Sequence, residues 1–150
     1  MIEVVNGNLL EAPVEALVNP VNCVGVMGKG LALAFAKRYP EVDRAYVADC
    51  RAGRFSPGAV RAYPTDALVG PSTVICVATK DHWRHPSKLE WIRSGLASLG
   101  VLLEVEGIAS VAIPALGCGL GGLSWPVVRD QVTLKLGSHP CSIRLYAPAR

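Results

Sequence analysis

The chain has 150 residues, of which 51% are hydrophobic and 6% aromatic, and it carries a formal net charge of +3 at pH 7. That length fits one domain that buries about two-thirds of its unfolded surface, while the apolar runs are too short and interrupted to cross a membrane. No signal peptide is visible, and five cysteines without a C-x-x-C pair indicate reduced thiols in a cytoplasmic protein.

The predicted elements, taken in chain order, alternate between short apolar strands and helices. Strands are predicted at residues 1–6, 16–20, 59–63, 73–78, 111–113 and 141–146, and helices at 31–39, 41–52, 125–136 and over about 15–18 residues from Ser87. Pro40 ends the first helix, and Ser87-Lys-Leu-Glu90 is a capping box that opens the third. Because helices between strands imply crossover connections, this order predicts a three-layer α/β/α domain with a mixed central sheet.

One glycine-rich loop stands between the fifth predicted strand and the last helix. It holds four glycines, at 117, 119, 121 and 122, and Ser124 after it is a candidate N-cap. A strand, a glycine loop and a helix start together present bare backbone N–H groups to a phosphate. The spacing is neither G-x-G-x-x-G nor a Walker A, so the loop by itself is as consistent with a plain turn as with a phosphate site.

A second glycine-rich loop follows the second strand. Asn19-Pro-Val-Asn22 precedes Met27-Gly-Lys-Gly30, and the two amides can bind ribose hydroxyls or bond their own backbone in a turn. Ligands of such sheets bind outside the carboxyl ends of the strands, so the loops at 19–30, 79–86 and 117–122 are expected to meet there. Two glycine loops in one domain predict a ligand with two phosphates.

These loops carry a resemblance to a known family. Asn19-Pro-Val-Asn22, Met27-Gly-Lys-Gly-Leu-Ala32 and Pro114-Ala-Leu-Gly-Cys-Gly-Leu120 together resemble the macrodomain family, which binds ADP-ribose, in its order and spacing. Ala78-Thr-Lys80 and Leu123-Ser-Trp125 resemble one branch, which holds the terminal ADP-ribose protein glycohydrolase and the DarG-type antitoxins. The resemblance implies a macrodomain over residues 1–150. Because DarG-type antitoxins also carry a C-terminal domain, it leaves open that this is the N-terminal domain of a longer protein.

The resemblance also implies which positions bind ADP-ribose. Asn8 and Leu9 would meet the adenine end, where many macrodomains have Asp in place of Asn8. The positions implied for the distal ribose are Asn19, Pro20, Val21, Asn22 and Thr79. Those implied for the two phosphates are Gly28, Gly30 and Leu31 in the first loop, and Gly117, Cys118, Gly119, Leu120 and Gly121 in the second.

Lys80 is the predicted catalytic residue. It follows the apolar run Val74–Ala78 at the carboxyl end of the sheet, where partial burial favours the neutral amine. A neutral amine can attack the anomeric carbon of a ribose, a charged one can stabilise a leaving group, and a solvated one simply binds phosphate. In the resembling protein-directed glycohydrolase, an aspartate after Gly-Cys-Gly-Leu partners the lysine. This chain has Gly121 there, which favours a DNA substrate.

The segment after Lys80 contains candidates for DNA contact. Trp83 can stack on a base while Arg84 meets a phosphate, and the alternative is an ordinary exposed loop. His82 and His85 lack further ligands at suitable spacing, so no metal site is predicted. Scattered arginines at 51, 54 and 61 form either a nucleic-acid patch or a solvated face.

The resemblance implies an enzyme that hydrolyses the bond between ADP-ribose and thymine bases of single-stranded DNA, as antitoxin to a DNA ADP-ribosyltransferase. The expected partners are ADP-ribose, ADP-ribosylated single-stranded DNA and the cognate DarT-type toxin. We expect a cytoplasmic monomer without a cofactor. Two alternatives stay open: a reader that binds ADP-ribose and catalyses nothing, and a glycohydrolase acting on ADP-ribosylated Glu or Asp of proteins or on O-acetyl-ADP-ribose.

Overall fold

The computed structural model describes residues 1–149 of the chain, which contain six strands and four α-helices. The strands are β1 (Ile2–Val5), β2 (Ala16–Val21), β3 (Val60–Pro64), β4 (Thr73–Ala78), β5 (Ser110–Ile113) and β6 (Ser142–Tyr146). The helices are α1 (Gly30–Arg38), α2 (Pro40–Arg51), α3 (Leu89–Val105) and α4 (Trp125–Leu136), with 3-10 turns at Leu9–Glu11 and Gly119–Gly121. The predicted order of elements is confirmed.

The strands form one mixed sheet in the order β1-β6-β5-β2-β4-β3. β3 runs antiparallel to its neighbour β4, and the other pairings are parallel. The carboxyl ends of β1, β6, β5, β2 and β4 therefore lie along a single edge of the sheet, and the loops that leave those strands meet there.

The sheet lies between two helix layers, which confirms the predicted three-layer α/β/α class. On one face, α3 and α4 pack against strand residues such as Ile75 and Val111 in a single buried cluster. On the other face, Phe35 and Tyr46 of α1 and α2 pack against Leu17. Because both faces are covered, β2 and β4 are apolar almost throughout instead of alternating.

Two predicted helix boundaries need correction. Pro40 does not merely end α1: it is the first residue of α2, a position where the missing N–H of proline is harmless. The capping box at Ser87 and Glu90 was wrong, because α3 begins at Leu89 with Lys88 as its N-cap and no side-chain cap bond. Ser124 does occupy the predicted N-cap of α4, although its side chain makes no cap hydrogen bond.

The last turn of α2 carries a buried carboxylate, that of Asp49. It accepts hydrogen bonds from the Tyr63 hydroxyl at 2.5 Å, from Arg54 at 2.7 Å and from Arg61 at 3.2 Å. The Tyr63 hydrogen bond, followed by that from Arg54, lowers the pKa of Asp49 below its usual value. Arg61 and Tyr63 therefore join β3 to α2, and Arg54 ties the loop after α2 to the same carboxylate.

Within residues 1–149, none of the helices combines the length and apolarity needed to cross a bilayer.

Candidate active site

A cleft of about 950 Å³ lies at the carboxyl edge of the sheet. Its wall is formed by residues from segments 20–32, 79–87 and 114–121, together with residues 7–9 and 146–149. The three loops predicted to meet therefore do so. A cleft of this volume can enclose a ligand as large as a dinucleotide.

Nearly all of the predicted site residues line this cleft. They are Asn8, Leu9, Pro20, Val21, Asn22, Gly28, Gly30, Leu31, Thr79, Lys80, Gly117, Cys118, Gly119, Leu120 and Gly121, together with Trp83 and Arg84. Asn19 is the exception, because it is 0% exposed and faces the α1/α2 layer. Its amide donates to Met27 Sδ at 3.4 Å and to Cys76 Sγ at 3.9 Å. The structure therefore does not bring Asn19 to the cleft wall with the other predicted residues.

The first glycine loop is shaped by the Asn22 side chain. Its Oδ1 accepts from the N–H groups of Val24 at 3.0 Å and Gly25 at 3.2 Å, and from the Tyr46 hydroxyl at 2.9 Å. Its Nδ2 donates to Val26 O at 2.8 Å. The amide thus bonds its own loop, as in the turn interpretation, and holds the backbone of residues 22–26 open toward the cleft.

Lys80 sits where the first loop and the second glycine loop approach each other. Its Nζ donates to the carbonyl oxygens of Leu120 at 3.3 Å and Trp83 at 3.5 Å. On the other side, Cys23 Sγ donates to Lys80 O at 3.3 Å, so the first loop is tied to the lysine backbone. Burial lowers the pKa of the Lys80 amine below its usual value. The two carbonyl acceptors favour the charged amine, but within residues 1–149 no carboxylate pairs with it to oppose burial further.

The carboxylate closest to Lys80 in sequence is turned away from it. Asp81 Oδ1 accepts from the His82 N–H at 2.7 Å and lies 3.2 Å from His85 Nδ1. Among residues 1–149, no Asp or Glu oxygen lies within 4.0 Å of Lys80 Nζ. The amine can therefore act as a base or nucleophile without first breaking an ion pair.

The second glycine loop turns sharply at three positions. Gly117, Gly119 and Gly122 have φ angles of +74°, +67° and +79°, which side chains of L residues rarely adopt. Gly119 and Leu120 begin a 3-10 turn, whose first N–H groups have no partner within the turn. These N–H groups border the cleft and can receive a phosphate oxygen.

An exposed aromatic side chain stands at the rim of the cleft. Trp83 is 41% exposed, with the Arg84 guanidinium 4.6 Å from its ring centroid and the His82 ring stacked at 5.3 Å. This pairing of an aromatic face with a cation fits a nucleobase and its phosphate.

The cysteines at the cleft are poor nucleophiles. Burial raises the pKa of Cys23 to about 11 and also raises the pKa of Cys118, so both remain thiols at neutral pH. Within residues 1–149, no three His, Cys, Asp or Glu side chains are grouped closely enough to hold a metal ion.

Comparison with known proteins agrees with this geometry. The family model of the Macro domain matches residues 18–132. This chain is a member of the macrodomain family. It is 46% identical over 132 residues to the "DNA ADP-ribosyl glycohydrolase" of Thermus aquaticus and 49% identical over 132 residues to that of Mycobacterium bovis. The match covers 88% of this chain in both cases, but only 37% and 38% of the relatives' own lengths.

Solved structures give the same result for this macrodomain. The macrodomain of Mycobacterium tuberculosis DarG has a TM-score of 0.96 and 45% identity, covering 99% of both chains. Thermosipho africanus DarTG, solved in complex with ADP-ribose, has a TM-score of 0.93 and 31% identity, covering 98% of this chain and 41% of that one.

Sequence reasoning missed part of the macrodomain's cleft. The additional lining residues are Gly7, Val26, Lys29, Ala32, Ser87, Pro114, Ala115, Tyr146, Ala147, Pro148 and Ala149. Tyr146 ends β6, so the rule that ligands bind at the carboxyl ends of strands could have located the last four. Ser87 carried no such signal, because its spacing to Glu90 indicated a helix cap instead.

Proposed function

We propose that this macrodomain binds ADP-ribose in the cleft and hydrolyses its bond to thymine bases of single-stranded DNA, with Lys80 as the catalytic residue. The observation that carries the proposal is the partly buried Lys80 amine beside the second glycine loop. Its hydrogen bonds within residues 1–149 go to two carbonyl oxygens and to no carboxylate. The names of the relatives at 46% and 49% identity support the choice of substrate.

The lowered pKa of Lys80 favours the neutral-amine route over electrostatic stabilisation by a charged lysine. The Nζ lone pair forms a bond to the anomeric carbon of the distal ribose. The bond to the base breaks, and the base leaves with the electron pair and takes up the proton that Nζ loses. The bond between the anomeric carbon and the ring oxygen then breaks, and the ring oxygen takes the remaining Nζ proton, which leaves an imine on Lys80. Water adds to the imine carbon and gives its two protons to the departing amine, and the sugar leaves as an aldehyde that closes again to the ring.

The cleft accounts for the remaining parts of the substrate. The diphosphate lies along the two glycine loops, with the adenine end at Asn8 and Leu9. The DNA strand leaves the cleft over Trp83 and Arg84, which stand at its rim. Because the substrate supplies every group that reacts besides Lys80 and water, the reaction needs no cofactor.

The biological partner in this proposal is a DarT-type toxin, and the setting is the cytoplasm, where DNA is modified and repaired. The name of one relative, a "DNA ADP-ribosyl transferase-DNA ADP-ribosyl glycohydrolase fusion protein" of Thermosipho africanus, supports this pairing. It is 30% identical over 162 residues, which cover 98% of this chain and 42% of the relative. The chemistry needs one copy of the chain, so the proposed enzyme is a monomer.

The test compares wild type, Lys80→Ala and the surface control Lys135→Ala on a thymine-modified single-stranded oligonucleotide. We expect wild type and Lys135→Ala to release ADP-ribose, and Lys80→Ala to lose at least about 10²–10⁴-fold in kcat while still binding ADP-ribose. Reduction with cyanoborohydride during turnover should leave ADP-ribose covalently attached to Lys80, detected by mass spectrometry.

Release from ADP-ribosylated protein but not from DNA would overturn the substrate. Binding of ADP-ribose without its release from either substrate would indicate a protein that binds ADP-ribose and catalyses nothing. Equal activity of Lys80→Ala and wild type would remove Lys80 from the chemistry.

A further inference from the structure

Ser87 is a buried polar residue at the edge of the cleft to which the reaction above assigns nothing. The residue is 6% exposed, and its Oγ has no hydrogen-bond partner within residues 1–149. Its backbone N–H donates to Gly121 O at 3.0 Å. Ser87 therefore joins the segment before α3 to the second glycine loop through its backbone, while its hydroxyl makes no bond.

The Ser87 side chain fills the space beside Gly121. A Cβ at position 121 would lie 2.6 Å from Ser87 Oγ and 3.2 Å from Ser87 Cβ. Gly121 does not have the positive φ of Gly119 and Gly122, so its backbone would accept a side chain. The steric obstacle to a side chain at position 121 is thus Ser87 itself.

The position of Gly121 bears directly on Lys80. The Leu120 carbonyl that accepts from Lys80 Nζ belongs to the same peptide unit as the Gly121 nitrogen, and peptide units are planar and rigid. A Cβ at position 121 would also lie 4.0 Å from Lys80 Cε, which is ordinary contact. A shift of Gly121 away from Ser87 therefore moves the carbonyl that holds the amine.

We propose that Ser87 is a positioning residue, which sets the second glycine loop against Lys80 through its side-chain volume and its N–H bond to Gly121. This inference rests on the proposed role of Lys80. Ser87 acts by shape, because its Oγ and Cβ are the atoms that stand against position 121. Ser87→Ala keeps Cβ and the backbone bond but removes Oγ, the atom closest to position 121, so we expect its kcat to lie between those of wild type and Ser87→Gly.

The charged residues that follow Lys80 in the chain are paired with other side chains. Asp81 is engaged with His85, and Arg84 lies over Trp83. Lys29 also lines the cleft, and the second glycine loop itself carries no charged residue. A loop shift that weakens the bond from Nζ to the Leu120 carbonyl removes a partner of the charged amine, and a methyl group near Cε adds burial, so both changes lower the pKa of Lys80 further.

The decisive variants are Gly121→Ala, Ser87→Gly and the double variant Ser87→Gly/Gly121→Ala, with Ser138→Ala as an exposed serine control. We expect Gly121→Ala to lower kcat by about 10–100-fold, since displacements near 1 Å at a reacting group have effects of that size. The double variant, which removes both close atoms of Ser87, should recover to within about threefold of Ser87→Gly alone.

Two further readouts separate positioning from a merely structural role. The pKa of Lys80, measured by NMR on the ¹³C-methylated amine, should fall further in Gly121→Ala and return toward the wild-type value in the double variant. ADP-ribose affinity, measured by calorimetry, should change less than kcat. Thermal unfolding of each variant reports whether the fold is retained.

Full activity of Gly121→Ala would overturn the inference, and so would a double variant no more active than Gly121→Ala. If wild type fails to release ADP-ribose from modified DNA, the proposed function fails by itself. The Lys80 titration then still decides the positioning role: an unchanged pKa in Gly121→Ala refutes it, and a fall that the double variant reverses supports it.

Discussion

Replacing Gly117 by Ala tests how the second glycine loop is built, and Gly119→Ala is its matched control. Both positions have a left-handed φ, at +74° and +67°. An Ala Cβ there costs about 1–2 kcal/mol from backbone strain alone. At Gly119 that Cβ meets nothing within 4 Å, whereas at Gly117 it would lie 2.6 Å from Leu123 Cδ1 and 3.1 Å from Ile92 Cδ1. Overpacking of this kind adds about 1–3 kcal/mol.

The expected loss is therefore about 1–2 kcal/mol for Gly119→Ala and about 2–5 kcal/mol for Gly117→Ala. In a domain of this size each kcal/mol lowers the melting temperature by about 2–4 °C, so the drops should be about 2–8 °C and about 4–20 °C. Calorimetric unfolding without ligand measures both values. If the two variants melt together, the contact of Gly117 with Leu123 and Ile92 does not shape the loop, and the reasoning fails.

Three other predictions follow from the site and the fold. Trp83→Ala should raise KM for a modified oligonucleotide by roughly 5- to 100-fold through lost stacking while leaving the Kd of free ADP-ribose nearly unchanged; an equal loss for both ligands would argue against a DNA contact. The kcat of wild type should increase with pH through the lowered pKa of Lys80, since the neutral amine is the nucleophile, and a decrease over that range would support the charged-lysine route. Asp49→Asn should destabilise the protein by about 2 kcal/mol at pH 7 in urea unfolding. Because Tyr63 holds the pKa of Asp49 below its unfolded value of 3.8, the advantage of wild type should shrink steadily as the pH falls below 3.8, so a difference that stays constant from pH 7 to pH 2 would contradict the cause.

The elements and their order could be predicted because each depends on neighbours in the chain. The apolar run of β4 and the glycines of the second loop carry local signals that tertiary contacts did not override. The start of α3 was misplaced because Ser87 and Glu90 have the spacing of a capping box but do not form one. The Ser87 N–H instead donates to Gly121 O, in a loop more than thirty residues away. A capping pattern cannot report such a competing long-range contact.

For the site, the chain by itself determined which loops converge, since parallel strands send their carboxyl ends to one edge and the glycines mark the exposed backbone there. It also placed Lys80 at the end of β4. Only the tertiary structure decided that Asn19 points into the α1/α2 layer, that Asn22 bonds its own loop, and that Ser87 stands against Gly121. The physical reason is that strand and turn signals arise from residues close in sequence. The direction in which a polar side chain points, its burial and its pKa depend on atoms that folding brings from distant segments.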